Sequence, residues 1–166
     1  MKEIKLTIDG KEVQLTNELL RMLGIEAENR KNPFDRVAKG EVYSLVGAYG
    51  YAVSCHDDRL PCDNNSFLCH NYFNDKDFAN QVALHQLLYR KLLKFAYDNE
   101  CEDDQEWNCV NRHWCIQYDH GDNEFDVTWN DTFHNSGVYF STRESAVRAI
   151  REVVKPFIEE HPDFIW

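Results

Sequence analysis

Long apolar runs are absent from this sequence. No stretch approaches the roughly 18 consecutive apolar residues that a membrane-spanning helix needs, so we predict no transmembrane segment. The N-terminal residues 1–5, MKEIK, do not lead into the apolar segment of a signal peptide, and we expect a cytoplasmic protein. Thiols stay reduced in that compartment. We therefore expect free thiols at Cys55, Cys62, Cys69, Cys101, Cys109 and Cys115.

Catalytic motifs are absent as well. The sequence has 7 glycines, and Gly47-Ala48-Tyr49-Gly50 lacks the lysine and the following helix of a phosphate-binding loop. Cys55-His56-Asp57 has the residue types of a thiol enzyme, but adjacent residues of a strand point to opposite faces. We therefore predict no catalytic residue and no enzymatic activity.

Metal-binding spacings are missing too. Zinc knuckles place cysteines about two to four residues apart around a tight turn. Two clusters contain suitable residue types without that spacing: Cys62, Cys69 and His70, and Cys109, His113 and Cys115. We expect no bound metal and no cofactor, and the first cluster is the one to test if zinc is found.

Basic residues are nearly absent from residues 98–131, which contain eleven acidic residues and one basic residue, Arg112. This segment has a net charge of −10, within a chain whose net charge is −11. Such a field repels phosphate and disfavours direct contact with nucleic acid. It favours a basic protein surface as the partner, and we predict binding through Glu100, Glu102, Asp103, Asp104, Glu106, Asp119, Asp122, Glu124 and Asp126.

Tryptophans within this acidic segment are the predicted aromatic anchors of the same interface. They are Trp107 and Trp129, together with Trp114. Two alternatives stay open. Asp122, Glu124 and Asp126 alternate along a likely strand and would hold a divalent metal if they converged in a pocket, as in a metal-dependent nuclease. Alternatively, the acidity serves only solubility in a structural accessory protein.

A repeated module is the clearest positive feature of the sequence. Residues 70–79 read HNYFNDKDFA and residues 137–146 read GVYFSTRESA, so Tyr-Phe, an acid and an alanine align. An aromatic, β-rich stretch precedes each copy, and an amphipathic helix follows each copy. The sequence therefore predicts an α+β fold with two related β-β-β-α modules, each an antiparallel sheet packed on a helix.

We divide the chain into three parts. Residues 1–32 are predicted to form an N-terminal β-hairpin around Asp9-Gly10 and a short helix. Residues 33–98 form the first module, with a loop over 56–65 and a third strand over 67–73. Residues 107–166 form the second module and an apolar C-terminal extension that we expect to fold back.

The two module helices have predicted boundaries. The first begins after Asn74 and runs to about Tyr97. The second begins with a capping box of Ser141 and Glu144 and ends or kinks near Val154, before Pro156. Replacement of Ser141 by alanine is then expected to cost about 1 kcal/mol.

The N-terminal hairpin IDGKEV (residues 8–13) and the modules closing in Tyr72-Phe73 or Tyr139-Phe140 resemble small accessory proteins of phages, prophages and mobile elements. Some phage proteins of this size and acidity are anti-CRISPR proteins, which inhibit Cas nucleases. The resemblance implies a protein-binding inhibitor that acts in a bacterial host cell on a nucleic-acid-binding defence enzyme. It carries over no catalytic residue.

Overall fold

The structure, a computed structural model, describes residues 6–8, 11–13 and 32–166. It confirms the α+β class. The strands are β1 (Leu6–Ile8), β2 (Lys11–Val13), β3 (Val42–Val46), β4 (Ala52–His56), β5 (His113–Asp119), β6 (Glu124–Asn130) and β7 (Tyr139–Phe140). The helices are α1 (Pro61–Leu68), α2 (Lys76–Asp98), α3 (Arg143–Ala149) and α4 (Lys155–Glu160), with a π-helical turn at Ile150–Val154 joining the last two.

The N-terminal strands β1 and β2 pair antiparallel, with Leu6 opposite Val13. The turn predicted at Asp9-Gly10 and the short helix predicted after it lie outside the described residues.

The first sheet consists of β3 and β4, which pair antiparallel with Tyr43 opposite Cys55. Phe73 joins its edge through two backbone hydrogen bonds to Ser44, of 2.7 and 2.8 Å. The sheet packs against α2. The predicted third strand over 67–73 is therefore wrong, because only Phe73 pairs. Next to it, the Asn71 side chain takes the place of backbone pairing: it accepts from the Val46 amide at 2.8 Å and donates to the Val46 carbonyl at 3.2 Å.

Helix α1 replaces the second half of the predicted loop over 56–65 and the start of the predicted third strand, and residues 57–60 remain without regular structure. Pro61 stands in its first turn, where the missing N–H is no loss. The carboxylate of Asp63 accepts from the Leu60 amide at 2.9 Å, and Tyr43 donates to it at 3.0 Å. A tertiary hydrogen bond to a buried carboxylate thus stabilises a helix whose residues show no apolar stripe.

The second sheet has the strand order β6-β5-β7 and is antiparallel throughout. The helical segment 143–160 follows it and continues through Pro156, so of the two predicted outcomes the helix does not end near Val154, and a π-helical irregularity stands there instead. The π-helical turn explains the continuation: the Lys155 amide donates to Ile150, five residues earlier. Pro156 has no N–H and would crowd the carbonyl of a regular turn, which the wider turn relieves.

The N-terminal caps of α2 and α3 lie one residue later than predicted. Asp75 caps α2, accepting from the amides of Asp77 at 2.9 Å and Phe78 at 3.0 Å. Thr142 caps α3, accepting from the Ser145 amide at 3.1 Å. The predicted capping box of Ser141 and Glu144 is wrong, because the Ser141 hydroxyl instead donates to the Cys101 carbonyl, at 3.4 Å.

Replacement of Thr142 by alanine is expected to lower the free energy of unfolding by about 1 kcal/mol, because one amide of the first helical turn loses its acceptor. Urea denaturation of the two single variants checks this. Ser141→Ala is the matched control and should cost less, since it removes only a long hydrogen bond. Equal losses in the two variants would contradict the assignment of the cap.

The main hydrophobic core lies between α2, the second sheet and the C-terminal helical segment. Leu88, Leu92 and Phe95 of α2 pack with Phe140 of β7 and Phe157 of α4. The C-terminal extension folds back onto this core, as predicted. Its members Phe164 and Trp166 pack against the cluster, with the Trp166 ring 4.9 Å from that of Phe125.

Candidate functional site

Acidic side chains line the outer side of the hairpin formed by β5 and β6. The register places Asp119 opposite Glu124 and Gln117 opposite Asp126. Because side chains two residues apart or directly opposite share a face of a sheet, Asp119, Glu124 and Asp126 lie on the same face. All three are exposed, and so is Asp122 in the connecting turn. We call these four residues the acidic hairpin.

The turn of the acidic hairpin is built by one of its own carboxylates. Oδ1 of Asp119 accepts from the Gly121 amide at 2.7 Å and from the Asp122 amide at 3.3 Å. This side-chain turn reverses the chain, and Asn123 completes it in the left-handed region with φ 55°. The same residue therefore shapes the hairpin and contributes negative charge to it.

The charges of the acidic hairpin are not neutralised within the part of the chain that the structure describes. Over residues 32–166, no lysine, arginine or histidine lies within 4.0 Å of its carboxylates. Arg151 and Lys155 line a shallow depression beside Glu124 and Asp126 without pairing with them. The negative field of the hairpin therefore extends into solvent, where a positive surface is attracted to it.

The remaining predicted acids divide into two groups. Glu100, Asp104 and Glu106 are exposed in the loop after α2, which meets β5 at its His113 end and not at the turn end that carries the acidic hairpin. Asp103 is different: its side chain is 4% exposed, and its carboxylate lies 2.5 Å from Nδ1 of His113. Glu102 pairs through its backbone with Phe140, and its Oε2 atom is buried. The structure thus places Asp103 and Glu102 inside the fold and not on an exposed acidic face.

The predicted aromatic anchors also differ from one another. Trp107 stacks on the ring of His113, with centroids 3.6 Å apart and planes 6° apart, so it covers a buried residue. Trp114 packs against the hydrophobic core. Trp129 is 41% exposed, and the guanidinium of Arg112 lies 4.8 Å from its ring centre. Of the three, Trp129 has the most accessible surface.

Two exposed apolar side chains near Trp129 were missed by the sequence analysis. Val110 is 79% exposed and Phe133 is 74% exposed, and both lie in loops beside the second sheet. A hydrogen bond of 3.2 Å from the Cys109 amide to the Asp131 carbonyl joins these loops. Both residues stand in polar stretches of the sequence, which is the signal that marks an apolar side chain as exposed.

A buried ion-pair cluster organises the first sheet. Asp57 is fully buried and accepts from Nε of Arg36 at 2.8 Å, from Nη1 of Arg59 at 2.9 Å and from the Tyr72 hydroxyl at 2.9 Å. Hydrogen bonds from Arg36 hold the pKa of Asp57 far below its usual value. Burial, and then the bond to Asp57, raises the pKa of Tyr72. Both carboxylate oxygens of Asp57 accept hydrogen bonds from residues of the same sheet region, so the cluster supports the fold.

The contacts of this cluster also decide whether Cys55, His56 and Asp57 are arranged as in a thiol enzyme. The carboxylate of Asp57 is committed to two arginines, and Nδ1 of His56 lies 3.2 Å from the Gly40 carbonyl. Asp57 therefore does not orient His56 for proton transfer. Elsewhere, burial raises the pKa of the Cys115 thiol, which favours the unreactive protonated form.

Ligand clusters for a metal do not occur among the described residues: no three His, Cys, Asp or Glu side chains come together there. The six cysteines, all inside the described range 32–166, stand as free thiols. Among the helices that the structure describes, none has the length and apolar character needed to cross a bilayer.

Comparisons of the chain with protein-family models, with curated proteins and with solved structures found no match.

Proposed function

We propose that this protein is a non-enzymatic inhibitor that binds a basic surface of a nucleic-acid-binding protein and competes there with nucleic acid. The observation that carries the proposal is the acidic hairpin, with four exposed carboxylates and no ion pair from the described basic residues. By the resemblance in the sequence, the target is a Cas nuclease in the cytoplasm of a bacterial host. The protein then acts as a phage anti-defence factor.

Electrostatics provides the mechanism. Nucleic-acid-binding proteins hold phosphates with clusters of lysine and arginine. A carboxylate surface presented to such a cluster is attracted over about 10 Å at ordinary ionic strength, which speeds the encounter. Once bound, the carboxylates occupy the positive groups that phosphates would contact. The protein itself repels nucleic acid and is not expected to bind it.

Apolar contacts would then hold the complex together. Charged rim contacts mainly set the association rate, whereas desolvated aromatic contacts slow dissociation. Phe133 exposes aromatic surface in the same unit as the acidic hairpin, whereas Trp129 lies on the opposite face of the sheet from Glu124 and Asp126. We propose that Phe133 belongs to the apolar part of the interface, in place of the half-buried Trp107.

A metal-dependent nuclease using the acidic strand is the alternative that the sequence left open. That chemistry needs carboxylates that converge in a pocket. The acidic strand residues Asp122, Glu124 and Asp126 instead lie on an exposed hairpin. Among the described residues, none of them belongs to a group of three or more side chains that could hold a metal ion. The geometry therefore favours binding over metal-assisted hydrolysis.

We also propose that residues 33–98 and 107–166 are copies of one module. In each, the first strand is central, flanked by the second strand on one side and by the Tyr-Phe segment on the other. The helix caps Asp75 and Thr142 stand 67 residues apart. Ala79 and Ala146 are both fully buried at the corresponding positions.

Charge reversal on the acidic hairpin tests the function. The double variant Glu124→Lys and Asp126→Lys is expected to slow association with a guide-loaded Cas nuclease about tenfold or more at low salt, because the local attraction is lost. The difference should shrink as salt screens the charges. Biolayer interferometry over a salt series measures both rates, and competition with duplex target DNA measures inhibition.

The matched control reverses two exposed acids elsewhere, Asp58→Lys and Glu159→Lys, with the same change in net charge. Its association rate should change much less. Equal slowing in the two double variants would mean that only net charge matters, and unchanged inhibition by the hairpin variant would refute the proposal. Stability should change little in both, because exposed carboxylates contribute little individually.

A further inference from the structure

Two exposed tyrosines stand together at the turn between β3 and β4. Tyr49 is 81% exposed and Tyr51 is 56% exposed, and their rings are nearly parallel, with centroids 6.1 Å apart and planes 16° apart. Large aromatic side chains exposed side by side leave apolar faces in water. Neither ring contributes to the hydrophobic core, so the fold does not explain their presence.

The turn that carries them is held in one conformation. Gly50 is buried with φ 83°, and a Cβ there would lie 3.0 Å from a methyl group of Leu87 on α2. The Gly47 amide donates to the Tyr51 carbonyl at 2.9 Å, which closes the turn. The Ala52 amide donates to the side chain of Asn80, also on α2, at 3.2 Å. The tyrosines are therefore presented by a rigid support.

Gln81, which follows Asn80 on α2, holds the C-terminal segment of the chain in place. The Gln81 side chain donates to the Asp163 carbonyl at 2.7 Å and accepts from the Ile165 amide at 3.0 Å. Between the tyrosine turn and this C-terminal segment lies a cleft of about 710 Å³. Consecutive amides, Asn80 and Gln81, thus fix the two walls relative to each other, and the cleft is formed before any ligand arrives.

The charges in the cleft select the sign of its ligand. Asp77, Glu160 and Asp163 line it, and Lys91 and His161 are the basic residues of the lining that the structure describes. Nζ of Lys91 lies 3.8 Å from Glu160, so these two offset each other. Asp77 and Asp163 remain, and the cleft favours a cation over a phosphate.

We propose that this cleft binds an arginine side chain of a basic polypeptide segment. A guanidinium is planar and weakly hydrated, so it stacks on aromatic faces such as Tyr49 and Tyr51 while it donates to carboxylates. An ammonium lacks the planar face, and a neutral group lacks the charge. The cleft shares no residue with the acidic hairpin, so this inference does not depend on the proposed function.

Short blocked peptides provide the probe. A pentapeptide with one central arginine and two glycines on each side is titrated into the full chain, and the backbone amide signals of the chain are followed by NMR. We expect saturable shifts with the arginine peptide. The citrulline peptide, which has the same shape without the charge, should bind at least tenfold more weakly, and the lysine peptide several-fold more weakly. Equal affinity of all three peptides would overturn the proposal.

Variants locate the site. Tyr49→Ala with Tyr51→Ala should raise the dissociation constant about tenfold, since two stacking faces are lost. Asp77→Asn with Asp163→Asn should raise it several-fold. The matched control is Tyr97→Ala, a 62% exposed tyrosine on α2 outside the cleft, which should bind like the wild type.

Two results would contradict this location: Tyr97→Ala weakening binding as much as the cleft variants, or unchanged binding in both cleft variants. The hairpin variant Glu124→Lys with Asp126→Lys should bind the peptide normally, which separates this test from that of the proposed function. Thermal denaturation confirms that each variant is folded.

Discussion

Asp57→Asn is expected to lower the free energy of unfolding by about 3 kcal/mol. The change removes the negative charge that two arginines and the Tyr72 hydroxyl contact in a fully buried position, and breaking a buried ion pair leaves its partners uncompensated. Urea denaturation at neutral pH measures the loss. The control is Asp58→Asn, which changes the exposed neighbour and should cost far less. Equal losses would mean that the cluster contributes nothing specific.

The pH dependence of stability follows from the same cluster. Because the arginine contacts lower the pKa of Asp57 in the folded state, its contribution is complete above the pKa of an unfolded aspartate, about 4. That contribution is lost as the pH falls below 4 toward the folded-state pKa. The stability difference between the wild type and Asp57→Asn should therefore narrow with falling pH in that range.

Asp103→Asn is expected to cost a similar amount, about 3 kcal/mol. Among the described residues, its carboxylate is the only hydrogen-bond partner of the His113 ring, which is fully buried and stacks against Trp107. The amide weakens a charge-assisted bond, and the buried ring is left poorly paired. Chemical denaturation followed by tryptophan fluorescence measures the change, because the environment of Trp107 depends on this pair.

Asp104→Asn is the control for that variant, since Asp104 is the exposed neighbour and should tolerate the change. A loss in Asp103→Asn no larger than in Asp104→Asn would contradict the structural role of the pair. The sequence predicted both residues as part of the binding surface. The structure shows that reversal at Asp103 would measure folding, so the binding test belongs on the acidic hairpin.

The sequence predicted the elements whose signals are local. Helix α2 follows from apolar residues at helical spacing, such as Leu88, Leu92 and Phe95, and the hairpin of β5 and β6 follows from its polar turn. Helix α1 was missed because its stabilising contact, from Tyr43 to Asp63, joins residues 20 apart in sequence. Nothing within residues 61–68 reveals that partner.

For the candidate site, too, the sequence predicted what depends on composition and missed what depends on contacts between distant residues. Charge counts located the acidic segment, because formal charge is a property of composition. They did not separate exposed Asp104 from buried Asp103, since burial depends on which side of the sheet edge each side chain takes. The tyrosine cleft was not predicted at all, because its walls come from residues 49–51 and 160–163, which only the folded chain brings together.

Helix α2 belongs to both halves of the protein, so the two halves cannot be separated without exposing apolar surface. Its residues pack against the first sheet, while Leu88, Leu92 and Phe95 enter the core shared with Phe140 and Phe157 of the second unit. Cutting the chain in the loop after α2 would leave each fragment with an uncovered apolar surface. The two halves are thus interdependent, and the chain should unfold in a single cooperative transition.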